Sequence, residues 1–402
     1  MRSPMRPGAR EVSDPDPYPN YAWLREKAPV SAVYSPHGVG TTWFVTSYAL
    51  ARAALADHRL SNDGRNGGEW LNPEVADDAY RARGLLNLDR PEHARLRKLV
   101  NGAFSPQAVA RWTPMMERIC HAAVDRLTGE TEIDLVSGFA LPVPVGIIHE
   151  VLGIPEDQRK DPTRCFELFY RAGLAHGSGP ELYEELFGYV DHLIAYKRAH
   201  RGDDVMSLLI THTENGDLAG DRELRSMVLG ILGAGHVTTV QFFGCAILRL
   251  LTHPEQRVRL EVGEVGWAQG VNEMMRIDSP IQATVYRYAT EDLELGEVQV
   301  RRGDAVLISI AAANRDPARF TNPDDFVVGR QDGSNLAFGH GVHLCLGVHL
   351  ARIEAELGLQ ILFRRLGEIE LAIPASEIVW AYGPMLRGPR RLPVSASSAS
   401  RR

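Results

Sequence analysis

The residue of this chain that is best suited to do chemistry is Cys345, in the run FGHGVHLCLG that covers residues 338–347. Glycines surround it, and the strongly helical segment that follows would place its sulfur just ahead of a helix N-terminus. A thiolate is favoured there, because the helix dipole and the free N–H groups stabilise negative charge. The glycines allow the backbone to approach a large planar ligand closely, and His343 could donate a proton to an anionic edge of it. The run therefore predicts a ligand loop built around one sulfur.

A lone cysteine in a glycine-rich turn is more often a buried, inert thiol than a ligand. In this chain, however, five positions of the run match the haem-binding signature of the cytochromes P450: Phe338, Gly341, His343, Cys345 and Gly347. The chain resembles a soluble bacterial cytochrome P450. The resemblance implies that Cys345 binds the iron of haem b as a thiolate, a ligand that favours O–O cleavage. The loop residues that would contact the cofactor beside Cys345 are Phe338, Gly339 and His343.

A second candidate binding element is the run LDRPEHARLRKLV, residues 88–100. His93 and Arg97 are four residues apart, so they share one face of a helix and could bracket a pair of carboxylates. The competing interpretation is a solvated basic face. In the family that the chain resembles, this helix contributes to haem-propionate binding, and Arg287 on a predicted strand matches a further propionate ligand.

The longest helical pattern covers residues 221–251 and contains GILGAGHVTTV, residues 230–240. Glycine and β-branched residues are poor helix formers, so we expect this helix to be locally weak and to bend or open. A tight helix crossing is the alternative. The resemblance implies the oxygen-binding segment of the central helix, in which the Thr238 hydroxyl assists oxygen activation and orders water. The catalytic residues implied are Thr238, Thr239, Ala234 and Gly235.

One position of this segment departs from the family pattern. The residue before Thr238 is usually Asp or Glu in the family, whereas here it is Val237, and an apolar side chain cannot relay protons. We therefore expect that protons arrive through water, Thr239 or the substrate, or that the reaction needs less protonation than a simple hydroxylation. His236 is expected to face elsewhere, because neighbouring helix positions point about 100° apart.

The helix face that carries Thr238 predicts the shape of the substrate space. Gly230, Gly233 and Ala234 share this face, and all three are small. Two interpretations stay open: a roomy pocket for a bulky, aromatic or polycyclic natural product, or the close approach of another helix. The substrate-binding residues that we predict are Gly230, Gly233, Ala234, Val237, Thr284, Val285, Met385 and Leu386.

A further motif has a structural interpretation. Glu273 and Arg276 are three residues apart in NEMMR and can pair on one helix face. Alone, such a pair carries little weight. Together with Arg330 it matches the residues that, in the family, form a buried structural network behind the haem.

The remaining patterns place these residues in a mainly α fold with small β-sheets. We predict a short helix over 21–27, a β-hairpin over 30–47, a helix over 48–57, a long loop over 61–88, successive helices over 106–200, strands within 281–309, a helix over 346–366 and strands near the C-terminus. Aromatic residues flank the break at 176–181, where the resemblance implies a mobile lid: Phe166, Phe169, Tyr170, Tyr183 and Phe187.

The resemblance covers nearly the whole chain, which predicts one cytochrome P450 domain over residues 1–402. We expect loose tails at 1–15 and 395–402. The fold would hold haem between the long central helix and the helix that follows the cysteine loop.

Composition restricts the class of protein. The 402 residues carry a formal net charge of −7 and include 44% hydrophobic residues, which argues against a general nucleic-acid or membrane-surface binder. The four cysteines form no CxxC pair, which favours a reducing cytoplasm over a disulfide framework. The N-terminal stretch has no apolar core, so we expect no membrane anchor. These features predict a cytoplasmic protein, and we expect a monomer.

The resemblance implies an oxidoreductase that activates O2 with electrons from NAD(P)H, delivered by a ferredoxin reductase and a ferredoxin. The favoured function is a secondary-metabolite monooxygenase that hydroxylates or epoxidises a bulky small molecule. One alternative is oxidative coupling of aryl or indole groups through C–C or C–N bonds, which the missing acid at Val237 allows. A less favoured one is a non-catalytic haem sensor or carrier, against which Thr238 argues. Three cations are candidate contacts for an acidic ferredoxin, with ordinary surface charge as the alternative interpretation: Arg95, Lys98 and Arg352.

Overall fold

The computed structural model describes residues 16–33, 41–68, 84–130, 132–174, 180–383 and 385–396. Helices make up most of this part of the chain: α1 Tyr18–Lys27, α2 Tyr48–Ala56, α3 Glu92–Asn101, α4 Pro106–Asp125, α5 Pro142–Leu152, α6 Pro162–Leu174, α7 Pro180–Ala199, α8 Val205–Glu214, α9 Asp221–Thr252, α10 Pro254–Glu261, α11 Trp267–Ile277, α12 Ile310–Ala313 and α13 Val348–Leu366.

The strands are short: β1 Val30–Val33, β2 Thr42–Val45, β3 Leu60–Ser61, β4 Glu132–Asp134, β5 Arg287–Ala289, β6 Leu293–Leu295, β7 Val298–Val300, β8 Ala305–Ile308, β9 Ile369–Leu371, β10 Trp380–Tyr382, β11 Arg387–Pro389 and β12 Pro393–Ala396. They form a five-stranded sheet of order β1-β2-β8-β5-β3, a three-stranded sheet β4-β12-β9, and the pairs β10-β11 and β6-β7. Strands β2 and β8 run parallel. The predicted mainly α fold with small β-sheets is confirmed.

Some helices and strands begin or end at residues other than those predicted. Helix α1 starts three residues earlier than predicted, with a proline in its first turn. The predicted hairpin is present, since Val30 pairs with Val45, but its tip lies outside the described residues. So do 69–83 of the predicted loop, 176–179 of the lid break, and 1–15 and 397–402 of the tails. The tail prediction is wrong for Ser395 and Ala396, because both extend β12 and pair with β9.

Helix α9 is the longest helix of the described chain, with 32 residues. It is long and apolar enough to cross a membrane, but 78% of its most apolar window is buried inside the protein. A helix that is apolar on all sides belongs in a core, and α9 packs against α5, α6, α7, α8 and α11. Residues 230–240 stay helical without a break. The predicted opening of this segment is therefore absent, because packing stabilises helices that propensity alone would leave weak.

Helix α13, which the cysteine loop enters, is held against the core by α4 and α11 and also contacts α9. The approach to α9 is close, because a Cβ at Gly358 would lie 2.7 Å from the ring of Phe243. Phe243 in turn meets the ring of Phe139 edge to face, with centroids 5.5 Å apart. Close packing of this kind fixes the start of α13, and with it the loop that carries the cysteine.

Candidate active site

The cysteine loop is a compact turn that ends at the N-terminus of α13. The Cys345 N–H donates to the Phe338 carbonyl at 2.9 Å, and Gly347 is the N-cap of the helix. Gly339 and Gly341 have φ of 75° and 77°, in the left-handed region that favours glycine. A Cβ at Gly341 would lie 2.9 Å from a backbone oxygen of α2. The glycines thus fix the shape of the loop and place the thiol two residues before a helix cap.

Two opposing effects act on the Cys345 thiol. Burial raises its pKa above the ordinary value, whereas the Gly347 N–H and the Arg97 guanidinium lower it. Burial is the larger effect, so the thiolate that the sequence predicts is not favoured by the protein alone. A coordinated metal ion removes the proton from a thiol. This thiol is therefore suited to be a metal ligand and poorly suited to be a free nucleophile.

His93 and His343 lie ring against ring beside the loop. Their ring centroids are 4.3 Å apart, and His93 is only 3% exposed. Burial, followed by the nearby His343 and Arg97, lowers the pKa of His93 to about 4. His343 Nε2 lies 4.0 Å from Asp89 Oδ1. The predicted donor to an anionic ligand edge therefore also has a carboxylate neighbour within the protein.

Asp89 is a site residue that the sequence analysis missed. Its carboxylate accepts hydrogen bonds from the Ser61 hydroxyl and, at 3.1 Å, from the Asn62 N–H. Burial raises the pKa of Asp89, but the interactions with His343 and Ser61 outweigh burial and leave it at about 2. The available signal was an acidic residue four positions before His93, ahead of the proline that precedes α3. Asp89 thus places a negative charge 4.0 Å from the His343 ring.

Arg97 and Arg287 are the other predicted propionate ligands. Arg97 Nε donates to Asn101 Oδ1 at 3.0 Å, and Arg287 Nη1 donates to two carbonyls of α2 at 3.3 and 3.1 Å. Burial lowers the pKa of both guanidinium groups, that of Arg287 to about 10. Among the described residues, His93 Nε2 and Arg287 Nε are buried without a hydrogen-bond partner. One buried and one half-buried guanidinium group, together with unsatisfied buried nitrogen atoms, suit the two carboxylates of haem b, so the residues present fit that group.

The middle of α9 presents a small, open face. Gly230 and Ala234 are exposed, and a Cβ at Gly230 would meet no atom of the described residues within 4 Å beyond its own helix. Thr238 is half-buried on this face, and its hydroxyl donates to the Ala234 carbonyl at 3.4 Å. Thr239 and Val237 are buried. The structure therefore brings Thr238, Ala234 and Gly230 together and turns Thr239 and Val237 towards the core.

Gly233 and Gly235 are packed where Gly230 is open. A Cβ at Gly233 would lie 2.6 Å from Cδ1 of Phe169 in α6, and a Cβ at Gly235 would lie 2.5 Å from Cδ1 of Ile148 in α5. Both interpretations of the small residues therefore apply, each at a different position. Open space borders Gly230, and neighbouring helices approach closely at Gly233 and Gly235.

The other predicted substrate contacts lie on segments next to the sheets. Thr284 is half-buried, and its hydroxyl accepts a hydrogen bond from the Ile308 N–H at 3.2 Å. Val285 and Met385 are half-buried. Leu386 is buried in the main hydrophobic core. Thr284, Val285 and Met385 therefore keep some accessible surface, whereas the Leu386 side chain is covered.

Glu273, Arg276 and Arg330 form one buried network. Arg276 donates to both Glu273 oxygens at 2.6 and 2.8 Å, and Arg330 Nε donates to Glu273 Oε1 at 3.1 Å. Arg276 Nη1 also donates to the Asn314 carbonyl at 2.8 Å, and Asn314 Oδ1 accepts from the Leu336 N–H at 2.7 Å. The network therefore ties α11 to the segment that leads into the cysteine loop.

The family model for cytochrome P450 matches residues 180–368. The cytochrome P450 monooxygenase PikC of Streptomyces venezuelae is 35% identical over 386 residues, which are 94% of this chain and 91% of that protein. The tirandamycin C-bound structure of the P450 monooxygenase TamI has a TM-score of 0.89 and 32% identity, with coverage of 97% of this chain and 99% of that chain. The structure of CxnD, a cytochrome P450 enzyme for C–S bond formation in chuangxinmycin biosynthesis, has a TM-score of 0.87 and 32% identity, with coverage of 94% of each chain.

The half-buried Cys345 thiol before a helix, the Arg97 and Arg287 guanidinium groups and the open face of α9 together fit a haem held by a thiolate. The chain belongs to the cytochrome P450 family. It is accordingly an oxidoreductase that uses haem b and O2 and takes electrons from a redox partner. The family and the cofactor that the sequence predicts are confirmed.

Proposed function

We propose that this cytochrome P450 is a secondary-metabolite monooxygenase that hydroxylates or epoxidises a bulky small molecule. The observation that carries the proposal is the open face of α9 at Gly230 and Ala234, beside the half-buried hydroxyl of Thr238. Small side chains leave volume for a large ligand next to a group that can hold water. PikC and TamI are both named as P450 monooxygenases, which supports this reaction class.

Each residue has a distinct role in this proposal. When bound, haem supplies the activation of O2 and the oxidising power. Cys345 would be the ligand of the iron, while Arg97 of α3 and Arg287 of β5 would hold the two carboxylates of the cofactor. The Thr238 hydroxyl holds water at the open face and passes protons from it. The buried Val237 side chain cannot take part, so water is the proton route on this helix.

A second candidate function is oxidative coupling without insertion of oxygen. The observation that favours it is Val237, since a reaction that needs less protonation does not need an acid beside Thr238. CxnD, which forms a C–S bond, supports coupling as a reaction that this fold can carry out. The two functions differ in product mass, because monooxygenation adds one oxygen and coupling removes hydrogen atoms.

For electron delivery, we infer an acidic ferredoxin that is reduced by NAD(P)H through a ferredoxin reductase. A pocket of about 210 Å³ opens beside the cysteine loop. His93 and Arg97 of its lining belong to the proposed cofactor site, whereas Arg90 and Lys98 are exposed cations at its edge, beside Val342. Positive charge around an apolar centre suits an acidic partner. Of the three predicted docking cations, Lys98 lines this pocket, and Arg352 is exposed, with its guanidinium 5.2 Å from the Phe338 ring.

Arg95 is a poor candidate for docking, which corrects the sequence-based prediction. It donates to Glu223 of α9 at 3.1 Å and to the Asp217 carbonyl at 2.7 Å, so its charge is already paired. Charge reversal at Lys98 tests the docking proposal. Lys98→Glu should slow reduction by a ferredoxin and weaken its salt dependence, whereas a matched Arg111→Glu on α4 should not. Equal effects of both variants would remove the docking proposal.

We further propose that the protein is a cytoplasmic monomer whose single domain spans residues 1–402. Its four cysteines are all free, which suits a reducing compartment. Size-exclusion chromatography with light scattering would test the oligomeric state, and limited proteolysis would test the single domain. A dimer mass, or two stable fragments, would contradict the respective proposal.

The experiment that tests the main function is a search for the substrate. Small-molecule extracts are screened for compounds that shift the Soret band of the ferric protein, and each hit is incubated with a ferredoxin, a ferredoxin reductase and NAD(P)H. A product heavier by one oxygen supports monooxygenation, and joined rings with loss of hydrogen support coupling. If bound compounds never raise NAD(P)H consumption above background, the non-catalytic haem-protein alternative replaces both.

Val237→Glu separates the two catalytic functions further. Because Val237 is buried, Val237→Gln is the matched control, with similar size and polarity but no exchangeable acid. A monooxygenase limited by proton delivery should gain product per NAD(P)H in the Glu variant and not in the Gln variant. A coupling enzyme should keep the same product at no higher yield in both.

A further inference from the structure

The aromatic face of α6 rests directly on the backbone of α9. The ring of Phe169 is the closest contact: a Cβ at Gly233 would lie 2.6 Å from Cδ1 and 3.1 Å from Cε1 of that ring. Any side chain at position 233 would therefore displace the ring. Phe169 is 8% exposed, so it is enclosed where it lies.

His236 forms the other side of the place where the Phe169 ring lies. It is fully buried, and its Nδ1 is 2.7 Å from the Leu232 carbonyl oxygen, which fixes the orientation of the imidazole. The rings of His236 and Phe169 meet edge to face, with centroids 5.3 Å apart and planes at 88°. Edge-to-face contacts of this kind are favourable. Gly233 and His236 thus form a notch in α9, and the ring of Phe169 fills it.

The notch lies at the border of the substrate face. Gly233 is next to Ala234 and one helical turn from Gly230, the two residues of α9 that face open space. On α6, Phe166 and Tyr170 flank Phe169 and stack on each other with centroids 5.2 Å apart. The depth to which Phe169 enters the notch therefore determines how closely this aromatic face approaches the open face of α9.

We propose that Phe169, held in the notch of Gly233 and His236, is a specificity-determining residue that limits the size of ligand the open face of α9 accepts. The inference deepens the proposed function and rests on it in one respect, that this face receives the substrate. Packing holds the Phe169 ring in place, so a change of side-chain size at either 169 or 233 changes the space that is left for a ligand. A smaller side chain at 169 would leave space at Gly233, which is next to Ala234 and one helical turn from Gly230, and any side chain at 233 would force the ring out of the notch.

The test uses azoles that differ in bulk, titrated into the haem-loaded ferric protein and followed by the Soret shift. The probes are imidazole, 4-phenylimidazole and the triaryl compound clotrimazole. Phe169→Ala should bind clotrimazole roughly tenfold more tightly relative to imidazole, since a change of a few methylene equivalents in a pocket alters affinity by about this factor or more. Phe169→Leu should give an intermediate ratio. An unchanged ratio in both variants would overturn the proposal.

A double-mutant cycle tests the notch itself. Gly233→Ala should lower the melting temperature and change the azole ratio in the wild-type background, but it should have little effect when combined with Phe169→Ala, because the collision is then gone. Gly235→Ala, whose Cβ would meet Ile148 of α5, is the matched control and should act equally in both backgrounds. Additive effects of Gly233→Ala and Phe169→Ala would show that the ring does not depend on the notch and would reject the inference.

These measurements do not require turnover. Altered azole selectivity in a protein that oxidises no tested compound would contradict the proposed function and leave the role of Phe169 intact. Normal oxidation with unaltered azole selectivity would support the proposed function and contradict the role of Phe169.

Discussion

The cysteine loop and the middle of α9 differ in what fixes their side chains. Near the loop, charged groups are fixed by other charges, as in the network of Glu273 with Arg276 and Arg330. In the middle of α9, the ring of Phe169 is fixed by its fit against Gly233. Removing one member of a buried charge network costs several kcal/mol, whereas volume changes at a packed contact are absorbed more gradually.

The difference matches the tasks of the two regions. A cofactor must be held in one position, and paired charges that belong to different segments give one well-defined arrangement. A substrate space must have a particular size, which small and aromatic residues can set. We therefore expect substitutions near the loop to act on stability and haem retention, and substitutions on α9 to act on selectivity.

The largest effect is expected for Glu273→Gln. The Glu273 and Arg276 side chains are each only 2% exposed. The variant would remove the carboxylate that Arg276 pairs with and leave Arg330 with Asp332 as its carboxylate partner. We expect a loss of roughly 3–5 kcal/mol in the free energy of unfolding, measured by chemical denaturation, together with reduced haem content. Glu264→Gln removes the exposed partner of Arg259 and should cost about 0–1 kcal/mol. Equal losses in the two variants would contradict the comparison.

Glu354 is a buried carboxyl group of α13, the helix that follows the cysteine loop, and it has no charged partner in the part of the chain that the structure describes. It is 1% exposed, and its Oε1 has no hydrogen-bond partner among the described residues. Burial raises its pKa well above the ordinary value, so the folded protein binds a proton that the unfolded chain releases. This group therefore lowers stability as pH rises above the unfolded pKa, by about 1.4 kcal/mol per pH unit until the folded pKa is reached.

Glu354→Gln should remove this pH dependence. As pH rises from about 4 towards neutrality, the free energy of unfolding of the variant should increase relative to that of the wild type. At lower pH the difference between the two should be constant. Denaturant melts at several pH values would measure it. A pH-independent difference would show that Glu354 is ionised in the folded protein, and the charge would then need a partner.

Asp278 makes the opposite pH prediction. Its carboxylate accepts hydrogen bonds from Arg249 of α9 at 2.7 and 2.9 Å. Burial raises the pKa of Asp278, but Arg249, Arg315 and Arg387 together outweigh burial and leave it at about 2. The resulting stability is present above the unfolded pKa of about 4 and is lost as pH falls through about 2.

Asp278→Asn should therefore be less stable than the wild type at neutral pH, with on the order of 2 kcal/mol of the difference due to this pKa shift. The gap should narrow as pH falls from about 4 towards 2. Unfolding of both proteins in denaturant across this range would measure it. A gap that stays constant would mean that the surrounding arginines do not lower the pKa of Asp278 in the folded protein.

The residues around the cysteine loop were largely predictable from the sequence, because they are close in the chain or spaced to share one helix face. Cys345 lies within one ten-residue run, and the pairs His93 with Arg97 and Glu273 with Arg276 have helical spacing. Local spacing of this kind determines which side chains are neighbours before the fold is known. The same spacing also predicted the length of α9 closely.

Contacts between distant segments were not predictable in this way. Arg95 was expected at a docking face, but its partner Glu223 lies on another helix, 128 positions along the chain. Asp89 meets His343 only because the loop before α3 packs against the cysteine loop. The predicted weak point of α9 remains helical because its neighbours pack against it. Propensity describes a segment alone, whereas these outcomes depend on tertiary packing.

The smallest effect contrasts two glycines of α9. Gly230→Ala adds a methyl group that meets no described atom within 4 Å, so the higher helix propensity of alanine should raise the free energy of unfolding by about 0.5–1 kcal/mol. Gly235→Ala places its Cβ 2.5 Å from Ile148, and this collision should cost about 1–3 kcal/mol in spite of the same propensity gain. Denaturation of the haem-loaded variants would measure both. If both variants changed the free energy of unfolding in the same direction, the middle of α9 would not alternate between open and packed positions. The contrast between α9 and the surroundings of the cysteine loop would then be unsupported.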